Sequence, residues 1–234
     1  LTITSIDASG AAANGVVLNI SDLAAATTVT MGAGNSTITT SDGADVFTMG
    51  GGDATINVTA GGEYTFSTGT ETVEAQSSAS TDITGFDVSN DVIQLSLTEL
   101  ESAAFTSTSD LVDYNGISIS ALSGVVIANI TGGTAFTSDA STLLRLTGTH
   151  ASVAAVELAI EGDMTDLSII ASDSIVVLWS DGANAHVNLF EVDTVNTGSP
   201  ASGVVDAVTH NGEVVELVGV DVTDLSASNF NIVA

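Results

Sequence analysis

The feature that most constrains this chain is a nine-residue rhythm running from about Ile20 to Phe66. Val29, Ile38, Phe47 and Ile56 each lie nine positions after the one before, and Gly34, Gly43, Gly52 and Gly61 keep the same interval. Each unit therefore offers a glycine and, four residues later, an apolar side chain. The apolar residue is β-branched or aromatic, which suits a strand. The glycine suits a tight turn that a Cβ would obstruct. Self-similarity at a fixed period marks a stacked, quasi-one-dimensional architecture.

Four units can be written out: MGAGNSTIT (Met31 to Thr39), TSDGADVFT (Thr40 to Thr48), MGGGDATIN (Met49 to Asn57) and VTAGGEYTF (Val58 to Phe66). The pattern resembles the glycine-rich nonapeptide family called RTX, written G-G-x-G-x-D-x-U-x with U apolar. In this register only Asp45 occupies the aspartate position, with Ser36, Ala54 and Glu63 at the equivalents. The first glycine of the doublet is missing from each unit, and the last unit puts Thr65 in the apolar slot. The resemblance implies that two units make one coil of a parallel β-roll. It also implies calcium between successive turns, held by the aspartate and by loop carbonyls, here in the turns of Gly43, Gly52 and Gly61.

With two units per coil, residues eighteen apart stack on one side. That spacing places Asp45 with Glu63 and Asn35 with Asp53, while Asp42 could add a carboxylate beside Asp45. Hard oxygen donors of this kind suit Ca2+ better than zinc or copper. The alternative is a calcium-free solenoid whose turn Asp and Asn residues cap loops.

Asp82 to Leu97 reads DITGFDVSNDVIQLSL, two short strands around a Ser89-Asn90-Asp91 turn. It resembles the "I-x-x-F-D … D-x-I-x-L-S" segment that follows the repeats in many RTX proteins. The resemblance implies a calcium held by Asp87 and Asp91 that closes the roll; an Asx-turn cap is the alternative.

Downstream, Thr98 to Phe105 reads as a short helix with Thr98 as N-cap. Ile117 to Ile119 and Val125 to Ile130 read as strands. His150 to Glu161 has helical spacing at Val153, Val156 and Ile160. Ser174 to Ser180 reads as a buried strand, with an Asp181-Gly182 turn returning it through His186 to Val192 as a hairpin. Val214 to Val220 and Phe230 to Val233 are the last strand candidates. From Ile175 onward the chain resembles the carboxy-terminal region of proteins exported by type I secretion. Asp221 and Asp224 ahead of Phe230, Ile232 and Val233 fit the uncleaved signal that such exporters read. The fold class expected is all-β: a β-solenoid or β-roll over 1–76, with Ser77 to Ser80 ending it. A β-rich domain with one or two short helices follows over 77–234.

The chain carries 29 acidic residues against one basic residue, Arg145, for a net charge of −28. Nucleic acid and anionic membranes are excluded as direct partners, because phosphate contact needs Lys or Arg. Like charges on this surface repel unless counterions intervene; divalent cations are one answer and a salty medium another. At 44% hydrophobic the chain can bury a core. It has no cysteine, so no disulfide or thiolate chemistry. No run of eighteen apolar residues occurs, and the start at Leu1 rather than methionine is expected of a fragment.

Catalytic patterns are missing. There is no His-Glu-x-x-His, no Gly-x-Ser-x-Gly and no lysine for a phosphate loop. His186 reads as a surface or packing residue and Trp179 as core. The expectation is a non-enzymatic, calcium-dependent structural protein on the exterior of a Gram-negative bacterium. It would be secreted by a type I exporter and would self-associate into an S-layer lattice, matrix fibre or adhesin, with cell-surface polysaccharide as a further partner class. A rival is a calcium-folded delivery module of a larger exported protease or lipase. A second rival is an ice- or carbohydrate-binding adhesin domain, for which 4% aromatic content is low.

Overall fold

The computed structural model describes residues 2–11, 15–76, 79–102, 119, 125–130, 142–163, 173–197 and 203–234. Ten short strands alternate between two parallel sheets and, with one parallel strand added to each from the carboxy-terminal region, wind a β-solenoid of about six turns. One sheet stacks β1 (Ser5–Ala8), β3 (Thr28–Met31), β5 (Asp45–Thr48), β7 (Gly62–Thr65) and β9 (Thr81–Thr84). The other stacks β2 (Val16–Asn19), β4 (Ser36–Thr39), β6 (Ala54–Val58), β8 (Glu71–Ala75) and β10 (Val92–Ser96). Strand alternation sends every second side chain inward. The register then aligns those side chains into two apolar columns. Ile6, Val29, Phe47, Tyr64 and Ile83 rise through the first sheet. Leu18, Ile38, Ile56, Val73 and Ile93 rise through the second. Phe47 and Tyr64 stack with ring centroids 5.5 Å apart and planes 8° apart.

The turn glycines earn their place by close approach between rungs. A Cβ on Gly52 would lie 2.6 Å from the Ala33 carbonyl oxygen of the rung below, and one on Gly43 would lie 2.6 Å from Ala26 N. Neither adopts the left-handed backbone, which among the described residues is used by Gly85, Gly148, Gly182, Gly212 and Gly219. The expected reason for glycine, an obstructed Cβ, therefore holds, with the neighbouring coil as the obstruction.

The nine-residue period is not kept throughout. Val29 pairs with Phe47 and Ile38 with Ile56, both eighteen apart. Phe47 then pairs with Tyr64 at seventeen, and Tyr64 with Ile83 at nineteen. The expected eighteen-residue match of Asp45 with Glu63 is corrected by this slip. Asp45 lies opposite Gly62, and Glu63 lies opposite Val46. A one-residue slip in a strand exchanges its two faces. Hence Tyr64, not Thr65, fills the apolar slot, and Glu63 points to solvent.

Parallel stacking also continues beyond residue 76, through β9 and β10. Beyond them lie α1 (Leu97–Leu100), β11 (Ile127–Ile130), β12 (Leu143–Thr149), α2 (Val153–Asp163), β13 (Ser174–Ser180), β14 (Ala185–Thr197), β15 (Gly203–Val218) and β16 (Phe230–Val233). β15 adds in parallel to β9, aligning Leu217 with Ile83, and β16 adds to β10, aligning Phe230 with Ile93. The first sheet then runs on through β14, β13, β12 and β11. One buried cluster accordingly extends from the solenoid into the carboxy-terminal sheet. A second forms where Val156 and Ile160 of α2 meet Ile175, Val177 and Phe190.

The α1 turn is capped by Ser96, whose hydroxyl accepts the Glu99 N–H at 3.4 Å, so the cap stands two residues before Thr98. Residues 103–105 of that expected helix, 117–118 of an expected strand, and 77–78 at the expected end of the roll lie outside the described residues. The lone Arg145 is spent on neutral acceptors: its Nη1 donates to the backbone carbonyls of Val222 and Leu225 at 3.2 and 2.9 Å, and its Nε to the side-chain Oδ1 of Asn129 at 2.6 Å. It thereby ties the loop before β16 to the sheet.

Two glycine substitutions separate close approach from composition. Gly52→Ala is expected to cost about 1–3 kcal/mol by pushing against the rung below. Gly10→Ala, with nothing within 4 Å of the new Cβ, should stay within about 0.5 kcal/mol. Urea unfolding midpoints of the two variants make the comparison.

Candidate functional site: the acidic turns of the solenoid

Inward positions at the start of a strand sit beside the loop that precedes it. A carboxylate there can satisfy backbone N–H groups that the turn leaves without partners. Asp45 does this at the start of β5, where it is completely buried. Its Oδ1 accepts the Thr27 N–H of the rung below at 2.8 Å, and its Oδ2 accepts the Ser41 N–H of its own loop at 2.8 Å. The Ser41 hydroxyl donates to both oxygens at 2.9 and 3.0 Å. Asp91, just before β10 and also completely buried, repeats the bracket. It accepts the Glu71 N–H of the rung below at 2.9 Å and the Asp87 N–H four residues back at 2.8 Å. Each bracket fastens a loop to the adjacent coil through charge-assisted hydrogen bonds.

The expected pair Asn35 and Asp53 does stack. The Asp53 N–H donates to Asn35 Oδ1 at 3.2 Å, and Asp53 Oδ1 accepts the Thr70 N–H of the next rung at 3.0 Å. This ladder climbs an exposed corner of the second sheet. Asp42 and Glu63 are exposed, and Gly43, Gly52 and Gly61 pack against neighbouring coils. Asp87 is also exposed and turns outward. Its Oδ1 accepts the Ser89 N–H and hydroxyl at 2.9 and 2.6 Å, its Oδ2 accepts Asn90 Nδ2 at 2.9 Å, and the Ser89 bonds hold its carboxyl below the usual range. Asp87 thus forms an Asx-type turn. Asp91 faces the interior, and Asn229 seals the turn from the carboxy-terminal side through the Val88 and Asp91 carbonyls at 2.9 and 3.1 Å.

Sequence reasoning missed Glu71. It begins β8, opposite Ala54, and is completely buried. Neither carboxyl oxygen makes a hydrogen bond of good geometry among the described residues, although the Ser67 N–H and the Asp91 carboxyl stand beside it. Burial, then the adjoining Asp91 carboxylate, raises its pKa to about 8. A proton on Glu71 donated to Asp91, or a cation between them, would relieve the repulsion. The alternation of Glu71, Val73 and Ala75 was the available signal, because it places the acid on the apolar face.

Calcium chemistry can be tested against these donors. Asp45 does not fit as a ligand in this arrangement, since four hydrogen bonds occupy its two oxygens. Glu71 and Asp91 fit better. The Glu71 oxygens lack a well-aligned donor, and each Asp91 oxygen accepts one N–H among the described residues. The two are hard oxygen donors on neighbouring rungs.

Asp45→Ala removes the acceptor for two buried N–H groups and is expected to cost about 2–5 kcal/mol, whereas exposed Asp42→Ala should change stability by less than about 0.5 kcal/mol. Chemical denaturation resolves the difference. A pH series in chelator tests Glu71. Its unfolded carboxyl ionises near 4.5 while the folded one keeps its proton to about 8. Across that window the unfolded state sheds a proton that the folded state retains, so stability falls as pH rises. Glu71→Gln should remove that component of the pH slope. Compared with known protein families, curated proteins and solved structures, the chain matches none.

Proposed function

We propose that this chain is a calcium-dependent structural protein of the RTX kind, exported from a Gram-negative bacterium by type I secretion and assembling on the cell surface. The observation that carries the reading is the buried carboxyl of Glu71, without a well-aligned donor, against Asp91 inside a stacked solenoid. Such a pair holds a proton up to about pH 8 unless a cation takes its place, in a chain whose net charge is already −28. Glu71 and Asp91 would hold the ion, and oxygen donors favour calcium over softer metals. The cytosol withholds calcium, so the fold is less stable before export than after it. Outside, at about millimolar calcium, a site of Kd ~0.1 mM stabilises the fold by about 1.4 kcal/mol. Phe230 and Ile232 lie buried against the solenoid end. An exporter reading these residues would do so before folding conceals them.

The role is assembly rather than catalysis. The outward face of the first sheet carries Thr30, Thr48, Thr65 and Thr84 in one column that Asp7 begins, with Glu63 and Asp82 in the column beside it, a regular surface on which cations could bridge repeated lateral contacts. The deciding experiment strips calcium with chelator and follows β circular dichroism and particle size as calcium returns. Recovery of the β signal with growth of particles is expected with calcium, and not with equimolar magnesium. Glu71→Gln should fold without calcium and lose most of the response. An unchanged signal and size in the unsubstituted chain would defeat the proposal.

A further inference from the structure

A second cluster of titratable groups lies away from the solenoid turns, on the sheet formed by β13, β14, β15 and β9. Trp179, His186, Glu216 and Asp82 are successive cross-strand partners on these four strands. Directly opposed residues share a face. Glu213 joins them through an irregularity in β15. Val187 pairs with Val215 while Asn188 pairs with Glu213, which leaves Val214 as an extra residue. In a regular strand Glu213 and Glu216, three apart, would face opposite sides. The bulge turns both toward His186, as bulges next to sites commonly re-aim side chains.

The resulting geometry is that of a ligand set. One ring nitrogen of His186 and one carboxylate oxygen from each of Glu213 and Glu216 lie within 4.8 Å of one another. His186 Nδ1 is 2.7 Å from Glu213 Oε1. At the other edge of the ring, Nε2 is enclosed and has no hydrogen-bond partner, with Asp181 Oδ2 at 3.7 Å. That gap is too long for a hydrogen bond. The imidazole is only 9% exposed and is fixed by stacking on Trp179, centroids 4.1 Å apart and planes 14° apart. Trp179 is itself held by its Nε1 bond to Asn188 at 2.9 Å. Asn184 fixes Glu216 by donating Nδ2 to its Oε1.

We propose that His186, Glu213 and Glu216 bind one divalent transition-metal ion, zinc in the first instance, with Asp181 as the carboxylate at the far edge of the ring. One imidazole nitrogen with carboxylate oxygens suits zinc, cobalt or nickel and disfavours calcium. Carboxylates stand at both edges of the ring, so whichever nitrogen does not take the metal has a partner for its proton. Outer carboxylates commonly orient metal-bound histidine in this way. The site is independent of the calcium reading, because it shares no residue with the solenoid turns.

Trp179 is the sole tryptophan of the chain and lies against the proposed ligand, so it reports binding directly. The full chain, stripped with chelator and held in 1 mM calcium, is titrated with cobalt(II) while Trp179 emission is followed. Calorimetry with zinc supplies the stoichiometry. One saturable site per chain is expected, with emission quenched by cobalt and restored by zinc. His186→Ala should weaken binding at least about 100-fold, and Glu216→Gln about 10–100-fold, with the β circular dichroism retained. Glu216→Gln keeps the stacked ring and decides the matter if His186→Ala fails to fold. The proposal is overturned if the unsubstituted chain shows only weak binding that calcium displaces. It is equally overturned if a folded variant at either position binds zinc as tightly as the parent.

Discussion

Backbone pairing between successive coils is the constraint on which the rest of this structure depends. Neighbouring strands must lie about 4.8 Å apart. At that spacing a turn residue such as Gly52 has no room for a Cβ, and inward side chains can only stack on their counterparts one coil away. The apolar columns of Phe47 with Tyr64 and of Ile38 with Ile56 follow directly. So does the exposure of polar groups at the corners, where each loop must find partners for its N–H groups. The chain answers that need with carboxylates: Asp45 and Asp91 bracket one coil to the next.

The same solution recurs in the carboxy-terminal sheet. Glu157 and Glu161 of α2 accept the N–H groups of His210 and Val208 on β15 at 3.0 and 3.1 Å. With one cation in the chain, acidic side chains have few opposite charges to meet, so they turn to backbone donors. The lone Arg145 is applied to carbonyls of the loop that precedes β16. The Glu71 carboxyl and the Nε2 edge of His186 are the buried acid and imidazole groups that find no well-aligned partner among the described residues.

The carboxy-terminal region completes the solenoid instead of hanging from it. β15 continues the first sheet beyond β9, and β16 continues the second beyond β10. Asn229 adds a polar seal over the turn that contains Asp91. An open solenoid end presents unpaired strand edges that invite uncontrolled association. At this end the first sheet runs on into the carboxy-terminal strands and the second ends at β16, whereas β1 and β2 are the outermost strands at the opposite end. The molecule is therefore polar along its stacking axis.

The sequence by itself determined the stacked β architecture, because a period shared by glycine and apolar residues can be satisfied only by coils in register. It also determined the apolar slots from Val29 to Ile56, the stacked pair Asn35 and Asp53, and the Asp181-Gly182 hairpin, all of which depend on local spacing. The tertiary structure alone decided which acids face inward. Loss of a single residue between rungs moved Glu63 to solvent and Tyr64 to the core, since strand faces alternate; Thr65 in the apolar slot was the visible trace of that slip. It alone placed Glu71 against Asp91, turned Glu213 toward His186 through the bulge at Val214, and joined β16 to β10 across more than a hundred residues of chain. These features rest on register and long-range pairing, which free energy selects over the whole molecule and of which local patterns, such as the alternation at Glu71 and the misplaced Thr65, give only a trace.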